Sequence, residues 1–546
     1  MKNREILTWI SKSIKGKKKH IVILTIIQIA LGFLSVCFAF LLKYVTHGLE
    51  IKDKKYFLIS IYILLGIVLL ILVLNCIYRF IYEHINSNIE NTLKEKLFND
   101  LLLSNYKIVK DYHKEDWIHR LSEDTKIVTS NILSIFPVIG RMSIQFILAF
   151  ILIIYISPKF GLILLPISFI LLILTCILRK RLKLYHNAVL EEEGKYKIFL
   201  SESLEGLSII HSFVKESLIS NIDSKKLENY KKAKIKRNNF SIFCSLGFLL
   251  LYYGSYVFGI IFCGLKILNG NMDIASLMSI IALLTQIQSP ISNMTSILPH
   301  YYSMLASAER LILNDEKENI KQYTSKEVEN IYSNFEEINI KNISFSYNES
   351  KKILSNFSLN IKKNQHIALI GHSGIGKSTL FKLLLSLYDL NCGTIEIKSK
   401  SNIKPLSKED RNLFGYVPQD NLILKGSIKD NVTFFSSNVN EKKLQLAYKN
   451  SASNEFINSL PNKDLTILNE RGSGLSIGQL QRLSLARAYY SDKPILLLDE
   501  ITSSLDSFTS KKVIDNLFSM KDKTIIFITH HEENLPDDVI KIKLGE

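Results

Sequence analysis

Six stretches without Asp, Glu, Lys or Arg dominate the first part of the 546-residue chain: 21–42, 56–78, 142–157, 160–178, 238–265 and 274–308. A hydrocarbon core about 30 Å thick takes roughly 20 residues of helix to cross. Five stretches reach or nearly reach that length. The 142–157 block is short and must recruit residues from 131–140, which puts Arg141 inside the span or at its edge. This predicts an all-α domain over 1–313 with spans near 21–42, 56–78, 135–157, 160–178, 241–265 and 274–300. Lys17, Lys18 and Lys19 before the first span raise a secretory signal as the alternative. A signal's apolar core runs only about 7–15 residues, and further spans follow here.

An even number of spans returns the chain to its starting side. The connections alternate accordingly: 43–55, 157–159 and 266–273 are short, whereas 79–130 and 179–237 are long. The long ones keep helical periodicity amid Lys and Glu, with Leu182, Tyr185, Val189 and Leu200 as apolar positions, and read as spans prolonged beyond the bilayer. Lys and Arg are no denser per residue in the long connections than in the short ones, so the positive-inside rule does not orient the chain. Residues 3–14 read either as a short amphipathic helix on the membrane surface or as a frayed terminus. In the last span Gln286, Ser289, Pro290 and Asn293 share a helical face. Polar groups there line a substrate path or hydrogen-bond between helices.

The formal net charge of +17 fits attraction to an anionic lipid leaflet, and no nucleic-acid motif accompanies it. The six Cys include no C-x-x-C pair and form no metal or disulfide pattern.

Residues 314–335 are polar and read as a linker, and 336–546 read as a soluble α/β domain. In it, the apolar strand His366–Ile370 runs into Gly371-His372-Ser373-Gly374-Ile375-Gly376-Lys377-Ser378, with Thr379 next and an apolar helix following. This is G-x-x-x-x-G-K-[ST], whose backbone N–H groups cradle phosphates at a helix N-terminus. Its Lys neutralises the outer phosphates and its Ser hydroxyl ligates Mg²⁺. Three further strands end in polar groups: Pro494–Leu498 at Asp499 and Glu500, Thr524–Thr529 at His530, and Gly415–Pro418 at Gln419. In open α/β sheets ligands bind at the carboxyl ends of strands. Four such ends converge on one phosphate site.

With those motifs, residues 338–546 resemble the nucleotide-binding domain of an ATP-binding cassette (ABC) transporter. Leu475-Ser476-Ile477-Gly478-Gln479 is similar to its signature sequence, with Ile477 where Gly is usual. Ser503-Ser504-Leu505-Asp506 is similar to the loop after its second carboxylate strand, and Tyr347 matches the aromatic that stacks on adenine. The membrane half resembles the exporter type, with six spans fused before the cassette. Arg120-Leu121 with Asp124, and Glu202–Gly206, resemble its cytosolic coupling segments.

The resemblance implies a multidomain half-transporter: an all-α six-span membrane domain followed by an α/β P-loop NTPase. ATP and Mg²⁺ are the implied cofactors. Lys377, Ser378, Gln419 and Asp499 are expected to serve phosphate and Mg²⁺, the metal being held by Ser378, Gln419 and Asp499. Glu500 is expected to polarise the attacking water and His530 to contact the γ-phosphate. Ser476, Gly478, Gln479 and Asp506 would face ATP bound to a second half-transporter, either the same chain or a related one. The implied location is the cell membrane, multi-pass, with both termini cytosolic. The fused order argues for export, and richness in Ile, Lys and Asn suggests an AT-rich bacterial source. A small peptide or bacteriocin is the expected cargo, with drug or lipid export and a non-pumping ATP-gated channel as alternatives.

Overall fold

In the computed structural model, each apolar block falls on a single helix, and most of these helices run well beyond the block at one end. The structure describes residues 3–13, 16–112, 114–312, 320–347, 352–372, 374–420, 422–469, 472, 474–530 and 535–544. Of 165, 167–180, 182–183, 248, 251–252, 291–296 and 298 it describes the backbone alone. Two units divide the chain: Met1–Leu102 with His113–Asn314, and Leu103–Tyr112 with Asp315–Glu546.

Among its described residues the first unit is built of helices joined by short turns. In chain order come α1 (Asn3–Ser13), α2 (Lys18–Glu50) and α3 (Lys54–Leu102). After α4 (Tyr106–Lys110), which lies in the second unit, come α5 (Lys114–His119), a π-helical turn at Arg120–Asp124, and α6 (Thr125–Ile156). Then follow α7 (Pro158–Glu205), α8 (Leu207–Ser212), α9 (Glu216–Leu268) and α10 (Ile274–Leu311). At 49 residues α3 is roughly 70 Å long, more than twice a hydrocarbon core. The prolonged spans expected from residues 79–130 and 179–237 are these continuous helices.

Two lines of packing hold the bundle. α6 lies against both α2 and α10, and α7 runs along α9. One apolar cluster joins Leu24, Ile85, Ile89, Leu93, Leu97, Ile132, Leu305 and Leu311, and a second joins Val36, Ala149, Phe150, Ile153, Phe160, Ile280 and Leu283. By contrast, Leu65, Leu69, Leu70, Leu72 and Val73 in the most apolar part of α3 are exposed. Apolar area left in water forfeits about 25 cal/mol per Å², so this face suits lipid.

Residues 3–13 form the ordered helix α1, with Ile6 and Ile10 buried in the first cluster, so this segment is not a frayed terminus. Gln145 donates to Gln286 at 3.4 Å, which makes Gln286 part of an interhelical hydrogen bond between α6 and α10. The side chain of Asn293 lies outside the described residues.

The second unit is built on two sheets. The stretch read as a linker carries α11 (Ser325–Asn334), capped by Thr324 and Glu327 in a reciprocal box, with Val328 and Tyr332 buried in the domain core. Next come β1 (Phe335–Phe345), β2 (Leu354–Lys362), β3 (His366–Ile370), α12 (Lys377–Leu384), β4 (Cys392–Ser399), β5 (Asn402–Pro405) and β6 (Phe414–Val417). A helical segment follows, with β7 (Gly426–Ser427), α13 (Ile428–Thr433), α14 (Glu441–Asn450), α15 (Asn454–Ser459), β8 (Ile467–Leu468) and α16 (Ile477–Ser491). The chain closes with β9 (Ile495–Asp499), α17 (Ser507–Phe518), β10 (Thr524–Ile528) and β11 (Ile540–Lys543).

The central sheet is parallel in the order β11-β3-β10-β9-β6, beside an antiparallel sheet ordered β2-β1-β4-β5. β3, β9 and β10 are buried at every position, as a parallel sheet covered on both faces requires. Alternation divides their side chains. Ile367, Leu369, Ile495, Leu497, Ile526 and Ile528 join Leu380 and Phe381 of α12 and the antiparallel sheet. Ala368, Ile370, Leu496, Leu498, Ile525 and Phe527 join Leu485 of α16 and Val513, Ile514 and Leu517 of α17. Also in this unit, α4 sets the Tyr106 ring edge-on to Tyr388 at 5.7 Å.

Candidate active site

Because β3, β10, β9 and β6 run parallel as neighbours, their carboxyl ends open on one edge of the sheet. That edge carries Gly371, Thr529 with His530, Asp499 with Glu500, and Gln419. The glycine-rich turn after β3 leads into α12, capped by Gly376 at φ +107°. A Cβ there would lie 2.9 Å from Leu354 Cδ2 and 3.2 Å from the Ile353 carbonyl, so both the turn and the packing need glycine. Ser373 lies outside the described residues.

Lys377 is buried, and its ammonium donates to the carbonyls of Gly371 at 2.6 Å and His372 at 3.1 Å. Burial pushes this amine below its usual range, against the charges of Glu500 and Asp499. Asp499 is only 2% exposed and hydrogen-bonds Ser378. Burial drives its carboxyl upward, aided by Glu500 and opposed by Ser378 and Lys377. Its Oδ1 is buried with no hydrogen-bond partner among the described residues. An orphaned carboxylate oxygen beside a hydroxyl is costly unless something positive reaches it. The Asp499 carboxylate, Ser378 hydroxyl and Gln419 amide are the hard oxygen donors that Mg²⁺ takes, so the residues present fit that cation.

Glu500 is held at both oxygens. Gln419 Nε2 donates to Oε2 at 2.9 Å, and His530 Nε2 lies 2.9 Å from Oε1. Its backbone sits in the left-handed region at φ +51°, and its N–H donates to the Ile528 carbonyl at 3.1 Å. A non-glycine residue there costs on the order of 1–3 kcal/mol and persists where its surroundings enforce it. Gln481 of α16, itself buried, donates to the Glu500 carbonyl and to Ser503, bracing the turn. Gln481 belongs to none of the motifs legible in the sequence. Its only local signal is a polar side chain on the face of α16 that carries Leu485 into the core.

Tyr347 stands at the margin, its hydroxyl 3.2 Å from Thr379 and its ring edge-on to Tyr388 at 5.1 Å. Burial, with the Tyr106 and Tyr347 phenols nearby, pushes the Tyr388 hydroxyl up to about 12.

Ser476, Gly478, Gln479 and Asp506 form a second group whose described hydrogen bonds are local. Ser476 caps α16 by accepting from the Gln479 N–H at 3.2 Å, and the Gln479 side chain accepts from the Ser476 N–H at 2.8 Å. Asp506 caps α17 through the Thr509 N–H at 2.9 Å. Ile477 is 66% exposed, so the departure from the usual glycine burdens no packing within this chain. Gly478 differs: a Cβ there would lie 2.7 Å from the Ser504 carbonyl oxygen. Gly478→Val is therefore expected to cost about 1–3 kcal/mol through overpacking. A fall in the thermal midpoint of purified protein checks this, and an unchanged midpoint contradicts it.

Two family models match: "ABC transporter transmembrane region" over residues 21–291 and "ABC transporter" over 354–503. The chain belongs to the ABC transporter family. Its helical membrane domain and nucleotide-binding domain are fused in one polypeptide, as in exporter half-transporters. ABC transporter B family member 1 of Dictyostelium discoideum is 28% identical, over 80% of this chain and 48% of that protein. The Lactococcin-G-processing and transport ATP-binding protein LagD of Lactococcus lactis is 33% identical, over 60% of this chain and 47% of that one. The chain thus spans about half the length of these two curated relatives. Among solved structures, a bacterial Atm1-family ABC exporter with ATP bound superposes with a TM-score of 0.81 at 19% identity. That match covers 97% of this chain and 94% of the other, which establishes the exporter fold. Membrane spans and family together make this ABC transporter a multi-pass membrane protein.

Proposed function

We propose that the chain is an ATP-hydrolysing exporter subunit of the cell membrane, with cytosolic termini. It pairs with a second half-transporter and moves a small peptide of the bacteriocin class outward. The observation that carries this reading is the Glu500 carboxylate, gripped by Gln419 and His530 beside the buried Asp499. Lys377 exchanges its two loop carbonyls for the outer phosphates of ATP. Glu500 takes a proton from the attacking water while His530 and Gln419 fix its position, in a reaction dominated by positioning and charge. Ser378, Gln419 and Asp499 would hold Mg²⁺, which when bound would supply neutralisation of phosphate charge. Tyr347 supplies a ring for adenine.

Pairing is supported by apolar surface that this chain leaves uncovered. At and beside α8, Leu207, Ile209, Phe213 and Val214 are all exposed, Val214 by 77%. They sit between the polar arms of α7 and α9, away from the lipid-facing stretches, and such patches mark protein interfaces. In the dimer, the Ser476–Gly478 turn of each chain faces ATP held by the other. Glu500 and His530 are both present, so two identical chains form two competent sites. Closing and parting of the cassettes then tilts the helices.

The peptide cargo is supported by the relation to LagD, whose name specifies lactococcin-G processing and transport. In proteoliposomes, MgATP on the cassette side is expected to drive labelled bacteriocin peptide across the bilayer. Steady hydrolysis without peptide movement removes the cargo assignment, and absence of hydrolysis removes the whole reading. Gln286→Leu combined with Asn293→Leu is expected to change peptide flux several-fold while leaving basal ATPase within about twofold. The lost interhelical hydrogen bond contributes only about 0.6 kcal/mol, so stability survives. Flux equal to wild type removes this face from the transport path.

A further inference from the structure

Three metal-ligating side chains meet where α2 ends and α10 begins, and the ATP site makes no use of them. His47 and Glu50 lie one turn apart on α2, and Asp273 is the N-cap residue of α10. His47 Nδ1 lies 3.5 Å from Glu50 Oε2 and 4.0 Å from Asp273 Oδ2, and all three donor atoms fall within 4.8 Å of one another. With ligand distances of about 2.0–2.1 Å, neighbouring donors around a tetrahedral Zn²⁺ stand roughly 3.4 Å apart. The first separation, 3.5 Å, is already at that spacing; the second, 4.0 Å, and the third, under 4.8 Å, close to it with small side-chain adjustments.

A second observation concerns the nitrogen. Nδ1 is shielded from solvent and makes no hydrogen bond among the described residues. It nevertheless faces two carboxylates. Asp273 is also hydrogen-bonded by Ser276. Glu50 uses Oε1 to accept from the Ala275 N–H at 3.3 Å, which leaves Oε2 facing His47. The Tyr56 ring packs edge-on to His47 at 6.2 Å, and Lys43 supplies a positive charge near Asp273. With the His47, Glu50 and Asp273 side chains 42%, 28% and 37% exposed, a cation can enter and keep a water as its fourth ligand.

We propose that His47, Glu50 and Asp273 form a binding site for a divalent transition-metal ion of the zinc class, which pins the end of α2 to the start of α10. One imidazole with two carboxylates suits Zn²⁺, Co²⁺ or Ni²⁺ better than Mg²⁺ or Ca²⁺, which favour all-oxygen shells.

The test uses the full-length protein in detergent, stripped with chelator and titrated with Co²⁺ alone, followed by visible absorption, and with Zn²⁺ alone, followed by calorimetry. Wild type is expected to bind one more ion per chain than His47→Gln or Asp273→Asn, or to bind it at least tenfold more tightly. Zn²⁺ should raise the thermal midpoint of wild type and not of the variants. Each variant removes a different donor, so if one misfolds the other still reads the site. Identical stoichiometry and affinity in wild type and a folded variant overturn the proposal. Metal occupancy is read without nucleotide, so the outcome is independent of the ATP assignment.

Discussion

Glu500→Gln is expected to lower steady-state ATP turnover by about 10²–10⁴-fold, the usual contribution of a positioned base. The replacement keeps the shape of the side chain. Its amide oxygen can still accept from Gln419, and its NH₂ can donate to the His530 nitrogen in the alternative tautomer, so the grip seen at 2.9 Å on both sides survives. Lys377, Ser378 and Asp499 are untouched, so MgATP binding should stay within a few-fold of wild type. Cassette pairs should then accumulate with ATP trapped between them. Phosphate release and nucleotide retention after gel filtration check both halves. Near-normal turnover would remove Glu500 from the reaction.

Arg310→Ala is expected to destabilise the membrane unit by about 3 kcal/mol, because it strands a buried carboxylate. Asp124 is fully buried at the end of the π-helical turn. Arg310 near the end of α10 grips it with two bonds, at 2.8 Å from Nε and 2.5 Å from Nη2. Burial alone would raise this carboxyl, but hydrogen bonds from Arg310 and Ser307 and the charges of Arg310 and His119 outweigh it and hold it below its usual range. A depressed carboxylate stabilises the fold above its ordinary value near pH 4, and that stability is lost as pH falls through the depressed one. Wild type should therefore lose stability on acidification below about pH 4, and Arg310→Ala should lose much less over that interval. Replacing both partners by apolar residues, Asp124→Leu with Arg310→Met, should recover most of the loss, since a matched apolar pair leaves no stranded charge. Thermal midpoints across pH decide the matter; a single variant as stable as wild type sinks it.

The pair illustrates what could be read from the chain and what could not. Apolar runs long enough to cross a bilayer are a local property, and so is a strand ending in Gly371–Ser378 or in Asp499-Glu500. Those features mark an apolar helical region, an α/β region and the sheet edge on which Gly371, Asp499, Glu500, His530 and Gln419 stand. Asp124 was visible only through resemblance to a coupling segment, and Arg310 had no local mark, because their partnership spans 186 positions. Gln481 escaped for the same reason: its partners lie in the turn after β9, and only the tertiary fold brings them within reach. The capping box at Thr324 and Glu327 was local and readable, yet the polar composition of 314–335 favoured a linker. Val328 and Tyr332 occupy too little of that helix to show as an apolar stripe.

The edge-on meeting of Tyr106 with Tyr388 bears on how this protein should be handled at the bench. A recombinant fragment begun anywhere near residue 320 omits α4, a helix encoded far upstream, although α4 is part of the same folded body. Such a fragment bares the Tyr388 ring next to Tyr347, where adenine is expected to stack. Nucleotide affinities and melting curves taken from the excised piece would then describe a wounded protein. Supplying a peptide covering Leu103–Tyr112 in trans is the direct way to find out how much the excision costs.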